Sequence, residues 1–166
     1  MKLFIDTSFL LSVIFVEPNT THSEEILKKS EFRIGSFLLK IEANQSILRR
    51  CKVYQLDPKP FLKHANSILD EIELYNWNED CLKELKSNQD LHSLKTLDAI
   101  HLTTLFVLHK IRVMGDFNLA SYDDQMIRIA KSLNIPIISG KNTLISDHSP
   151  KSKKKKKHDT NRKTLH

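Results

Sequence analysis

The segment KLFIDTSFL, Lys2 to Leu10, constrains the fold more than any other part of the chain. Leu3, Phe4 and Ile5 make the short unbroken apolar run of a strand covered on both faces, where a half-exposed strand would alternate. Asp6 follows at once, then Thr7 and Ser8, which suit the start of a helix. Phe9 to Val16 is apolar enough to continue that helix. A buried strand running straight into a helix opens an α/β sheet, and the carboxyl ends of such strands are where these sheets place ligands. Asp6 thus has two possible roles, helix cap or site acid, and recurrence of the same pattern along the chain bears on the choice.

A chain of 166 residues suits one domain with a real core, and 40% hydrophobic with 28% charged residues is ordinary for a soluble globular protein. With only three glycines, Gly35, Gly115 and Gly140, neither GxGxxG nor GxxxxGK[ST] occurs, which excludes a glycine-rich phosphate loop. Cys51 and Cys81 form no disulfide framework and no CxxC, so a reducing compartment is the simpler reading. Asp6 interrupts the apolar start of the chain, and no small-x-small cleavage site precedes Glu17-Pro18. Leu10 to Val16 falls far short of the roughly 20 residues of a membrane span. The expectation is a soluble cytoplasmic protein with no membrane partner.

The net charge of +6 is unevenly placed. Residues 151–166 carry +7, and the other 150 residues carry −1. A lysine run of that kind buries no apolar surface, so residues 141–166 are expected to be a disordered tail behind a domain of residues 1–140. The tail can add nonspecific RNA affinity through counterion release, be an incidental extension, or act as a nuclear signal in a eukaryote.

Along the chain, Pro18 to Thr21 breaks the first helix and Ser23 to Ser30 suggests a second. Phe32 to Ser36 reads as a strand, and Ser36 is placed to cap a helix from Phe37 to Cys51 with Phe37, Leu38, Ile41, Ile47 and Leu48 as its apolar positions. Glu42 falls within that apolar face. A helix is expected from Phe61 to Leu74, a short extended piece at Tyr75 to Trp77, and an Asn78-capped helix from Glu79 to Lys86. The next helix, LKTLDAIHLTTLFVLHK, has Leu97, Ile100, Leu105 and Leu108 as its core face and Asp98 near its amino end, where the dipole favours a carboxylate. Phe117 to Ser121 reads as a strand, and the helix from Gln125 to Leu133 has a stripe of Ile127, Ala130 and Leu133. Ile135 to Ile138 is the last strand. Asp123, after a strand and opening a helix, repeats the placement of Asp6, whereas Asp116 precedes its strand and belongs to the other end of the sheet.

Carboxylates gathered at one end of a parallel sheet repel one another unless a cation compensates them. Oxygen ligands without His or Cys suit Mg²⁺ or Mn²⁺ rather than Zn²⁺. One or two such ions activate water for in-line displacement at phosphorus, which is phosphodiester hydrolysis.

FIDTS at Asp6, SFLLKIEANQSILRR around Glu42, TLDAIHL at Asp98 and SYDDQMIRIAKSLNIPII at Asp123 resemble, in order, the four signatures of PIN domains. The likeness is strongest to VapC-type ribonuclease toxins of toxin–antitoxin pairs, and it runs from Lys2 to about Ile138. It implies a single three-layer α/β/α, Rossmann-like domain with a mainly parallel sheet, and a Mg²⁺- or Mn²⁺-dependent endoribonuclease leaving a 5′-phosphate and a 3′-hydroxyl. By that resemblance Asp6, Glu42, Asp98 and Asp123 are the catalytic and metal-binding quartet. Thr7 and Ser121 are the hydroxyls beside the first and last acids, with Ser where the family often has Thr. The resemblance also implies an RNA substrate, a small antitoxin partner and a homodimer.

His101, on the helix of Asp98, is read as a hydrogen-bonded packing residue rather than a fifth ligand. Arg49 and Arg50 either contact RNA phosphates or form a solvated helix end. The alternative to an enzyme is a non-catalytic RNA-binding or assembly module on the same fold, against which four clustered acids argue. A haloacid-dehalogenase-type phosphatase wants an acid two residues after Asp6, where Ser8 stands, and a flap-type nuclease wants more helical elements than this chain has room for.

Overall fold

Successive residues of the first strand face opposite sides of a sheet, and each side has its own core. The computed structural model describes residues 1–111 and 115–138. The strands are β1 Lys2–Ile5, β2 Phe32–Ser36, β3 Glu73–Tyr75, β4 Asn118–Ala120 and β5 Ile137–Ile138. The helices are α1 Thr7–Ile14, α2 Thr20–Lys29, α3 Leu39–Tyr54, α4 Pro58–Leu69, α5 Glu79–Ser87, α6 Thr96–Ile111 and α7 Asp124–Ser132, with a 3₁₀ turn at Leu91–Ser93. Leu3 and Ile5 pack with Phe9, Leu10, Leu39, Ile47 and Leu69 on the side of α1 to α4. Phe4 packs with Ile34, Leu102, Leu105, Leu119 and Ile129 on the side of α6 and α7. All three β1 side chains are fully buried, each worth about 1.5–3 kcal/mol of transfer free energy. The result is a three-layer α/β/α sandwich.

All pairings in the sheet are parallel, in the order β3-β2-β1-β4-β5. The chain winds from β1 out to β3 on one side and returns through β4 to β5 on the other. Strand order therefore reverses between β1 and β4, and ligands of open α/β sheets bind outside the carboxyl ends at such a point. The register pairs Ile5 with Ala120, so Asp6 and Ser121 leave the sheet side by side. The Asp6 amide extends the ladder by one bond, donating to the Ala120 carbonyl at 3.0 Å.

Several local expectations are corrected. The helix expected to run to Leu74 starts at Pro58, capped by Asp57, and stops at Leu69. Glu73 to Tyr75 is strand β3, displacing the extended piece expected at Tyr75 to Trp77. Thr20 and Thr21 lie inside α2 rather than in the break before it. Ile41, Leu48 and Leu97, assigned to buried faces, are each more than 40% exposed, and the inner stripe of α3 is Leu39, Ala43, Ile47 and Cys51. In α7 the buried stripe is Met126, Ile129 and Ala130. These helices, α3, α6 and α7, carry apolar residues beside the inner stripe as well as on it, so periodicity alone did not single out the inner one. The lysine-rich tail and the boundary at residue 140 lie outside the described residues.

Candidate active site

Asp6 is the N-cap of α1: its Oδ2 accepts the Ser8 amide at 3.1 Å. The same oxygen accepts the Ser8 hydroxyl at 2.5 Å and the Ser121 hydroxyl at 2.9 Å. The capping role is therefore real, and three donors on one oxygen leave Oδ1 without a hydrogen-bond partner among the described residues. Asp123 repeats this arrangement at the start of α7. Its Oδ1 accepts the Met126 amide at 2.7 Å, and its own amide donates to the Ser121 hydroxyl oxygen at 3.1 Å. Ser121 thus ties the first acid to the backbone of the last.

Glu42 is reached from two other elements. Its Oε2 accepts Thr7 Oγ1 at 2.5 Å and His101 Nε2 at 2.8 Å. His101 is fully buried, and its Nδ1 lies 2.7 Å from Ser36 Oγ at the end of β2. The carboxylate only accepts, so Nε2 carries a hydrogen. Ser36, which accepts the Leu38 amide at 3.3 Å, completes the chain by donating to Nδ1 when the ring is neutral. Ser36 was expected to cap α3, whose N-cap is instead Leu38 with no side-chain cap; it serves His101.

Electrostatics draws these groups together. Burial pushes the Asp98 carboxyl above its usual range, and the charges of Asp123, Asp6 and Glu42 push it further, against a smaller opposing effect of His101. Burial would raise Glu42 too, but hydrogen bonds from His101 and Thr7, with the charges of His101 and Arg49, hold it below the ordinary value. Burial would lower His101, yet the Glu42 bond and the charges of Asp6, Glu42 and Asp98 hold it above. The other three expected acids therefore lie within electrostatic reach of Asp98.

Their donor chemistry fits a hard divalent cation. It is oxygen-only, concentrated negative charge, with one oxygen each of Asp6, Glu42 and Asp123 fixed by protein donors. Among the described residues, no three His, Cys, Asp or Glu side chains already stand as a ligand cage. A hollow bordered by Val13, Leu27, Arg33, His64, Ile68 and Glu71 lies toward the amino-terminal ends of β2 and β3, and none of Asp6, Glu42, Asp98 and Asp123 lines it.

Of the two arginines, Arg50 is committed elsewhere: it pairs with Glu17 at 2.5 Å and lies 4.3 Å above the Phe15 ring. Arg49 is exposed, bonded to Ser46 at 3.0 Å, and close enough to Glu42 to lower its pKa. Sequence reasoning passed over Ser8 and Tyr122. A hydroxyl two residues after a strand-end acid was the available sign of Ser8; nothing local marked Tyr122.

No family model matches the chain, and no curated protein does. Among solved structures it is similar to VapBC2 from Rickettsia felis, determined bound to a DNA fragment from its promoter. The identity is 16%, the TM-score 0.56, and the likeness covers 83% of this chain and 98% of that one. The fold is PIN-like. The PIN-like fold accounts for the position of the site, because Asp6, Ser121 and Asp123 sit where β1 and β4 end side by side. No helix among the described residues is long and apolar enough to cross a membrane.

Proposed function

We propose that the protein is a Mg²⁺- or Mn²⁺-dependent endoribonuclease, the toxin of a toxin–antitoxin pair. The observation that supports this reading is that Asp6 and Asp123 follow β1 and β4 at the switch point of a PIN-like sheet, while Asp98 is raised by burial and by the charges of Asp123, Asp6 and Glu42. Asp6, Asp98 and Asp123 would hold the ion, and Glu42 would ligate it or orient the attacking water. A bound ion supplies an activated water and charge stabilisation at phosphorus.

The chain's own residues set the geometry. Ser8 and Ser121 hold Oδ2 of Asp6 and leave Oδ1 without a donor among the described residues. Thr7 and His101 hold Oε2 of Glu42, whose lowered pKa suits an acceptor that orients water rather than one that stores a proton. A small antitoxin and a homodimer are the proposed protein partners, and the likeness to VapBC2, solved on a DNA fragment from its promoter, supports the first.

The test is cleavage of total RNA by purified protein with Mg²⁺ or Mn²⁺, with EDTA, and by D98N. Metal-dependent cleavage lost in D98N is the expected result. No cleavage of any RNA by folded protein with metal bound overturns it in favour of the binding module.

A further inference from the structure

The loop between β4 and α7 is three residues long and carries two of the site's groups, Ser121 and Asp123. Tyr122 stands between them and is fastened at three points. Its amide donates to Ser8 Oγ at 2.9 Å. Its ring stacks on Phe9 with centroids 5.7 Å apart and planes at 18°. Its hydroxyl lies 2.6 Å from Ser23 Oγ on α2, and Ser23 lies 2.9 Å from Ser12 Oγ on α1. Ser12 and Ser23 are both fully buried.

With one proton per hydroxyl, Tyr122 donates to Ser23, Ser12 donates to the Phe9 carbonyl at 2.7 Å, and Ser23 donates either to Ser12 or to the Asn19 carbonyl at 3.0 Å. Buried hydroxyls are costly when unbonded, and in both arrangements Ser23 keeps an acceptor for its own proton and accepts the tyrosine's. Ser8 takes part twice: its hydroxyl accepts from the Tyr122 amide and donates to Asp6 Oδ2. A shift of Tyr122 therefore moves Ser8 and Ser121 together, and with them both hydroxyl donors that aim Asp6. A ring stack constrains sliding along the Phe9 face less than a directional bond does, and the hydroxyl supplies that bond.

We propose that Tyr122 is a positioning residue whose hydroxyl, anchored on Ser23 of α2, sets the loop that presents Ser121 and Asp123 to Asp6. The proposal rests on the reading of those acids as the nuclease site.

The variants Y122F, S23A and S23A/Y122F test it, since each keeps the ring stack. Two readouts are taken: site-resolved amide hydrogen exchange, and kcat and KM on an RNA substrate. We expect the Tyr122 and Asp123 amides to lose protection about ten-fold, with β1 and the middle of α6 unchanged. We expect kcat to fall about ten-fold or more with KM nearly constant, because small misplacements at a reacting centre are costly. At residues 121–123 the double variant should be no worse than S23A, which already removes the Tyr122–Ser23 bond along with those of Ser23 to Ser12 and Asn19. Unchanged protection at 121–123, or an equal loss of protection throughout the chain, overturns the proposal. Should wild-type protein cleave no RNA while the local exchange result stands, the nuclease reading fails and the anchoring of the loop does not.

Discussion

Nε2 of His101 lies 2.8 Å from Oε2 of Glu42, across 59 residues of sequence and between two helices on opposite faces of the sheet. The pair makes stability depend on pH with a defined sign. His101 is raised above 6.5, so its contribution is full below that value and is lost as pH rises through the raised one. Glu42 is lowered below 4.5, so its contribution is present above that value and is lost as pH falls through the lowered one. Wild type should exceed H101Q most between about pH 4.5 and 6.5, by on the order of 1–3 kcal/mol. Urea unfolding of both proteins from pH 4 to 9 measures this; a gap constant across that range would mean that packing alone separates them.

Asp98 carries the opposite liability. Its carboxyl is raised by burial and by three other acids, so the charged form costs stability above the raised pKa and the cost disappears on acidification. In EDTA at pH 7–8, D98N should be the more stable protein by roughly 0.5–2 kcal/mol, as expected where function and stability conflict. That advantage should vanish near pH 3.8. A D98N protein less stable than wild type at neutral pH in EDTA would mean that repulsion at this position is offset elsewhere.

Divalent cations should reverse that order. Mn²⁺ or Mg²⁺ at about 100 times its dissociation constant should stabilise wild type by about 2.7 kcal/mol, with EDTA undoing the effect. D6N, D98N and D123N should each show a much smaller shift in melting temperature. Equal shifts in all four proteins would place any cation away from these carboxylates.

Arg49 and Arg50 should separate cleanly despite their adjacency. R50A removes an ion pair with Glu17 and a cation–π contact with Phe15, and should cost about 1–2 kcal/mol. R49A should leave stability within about 0.5 kcal/mol but weaken RNA binding and lower the salt slope by about one. Filter binding at several salt concentrations, on a cleavage-deficient background, distinguishes the two.

Cys81 is fully buried, and burial pushes its thiol above the usual range. It should react with a thiol reagent at pH 8 only on the timescale of unfolding, and at once in denaturant. Cys51, 2% exposed, should follow the same course. Fast labelling of either thiol in native protein would contradict the packing of α3 or α5.

The edges of the site were legible because they are local. A three-residue apolar run, an acid and a helix-starting sequence fall within eight residues at Lys2 to Phe9, and the strand–acid–helix order recurs at Asp123. Buried strands and N-caps depend on neighbours a few residues away, so sequence alone determined where Asp6, Asp98 and Asp123 stand on their elements. Which side of α3 and α6 turns inward was not local, since Ile41, Leu48 and Leu97 offered a second apolar face that only the packed layers reject. The same holds for the aim of each acid. Ser121 reaches Asp6 through the β1–β4 register, 115 residues apart. His101 reaches Glu42 because two helices converge on the end of β2, and Tyr122 reaches Ser23 across 99 residues. Such bonds are set by strand register and layer packing, which no periodicity within one segment encodes; the tertiary structure alone decided them.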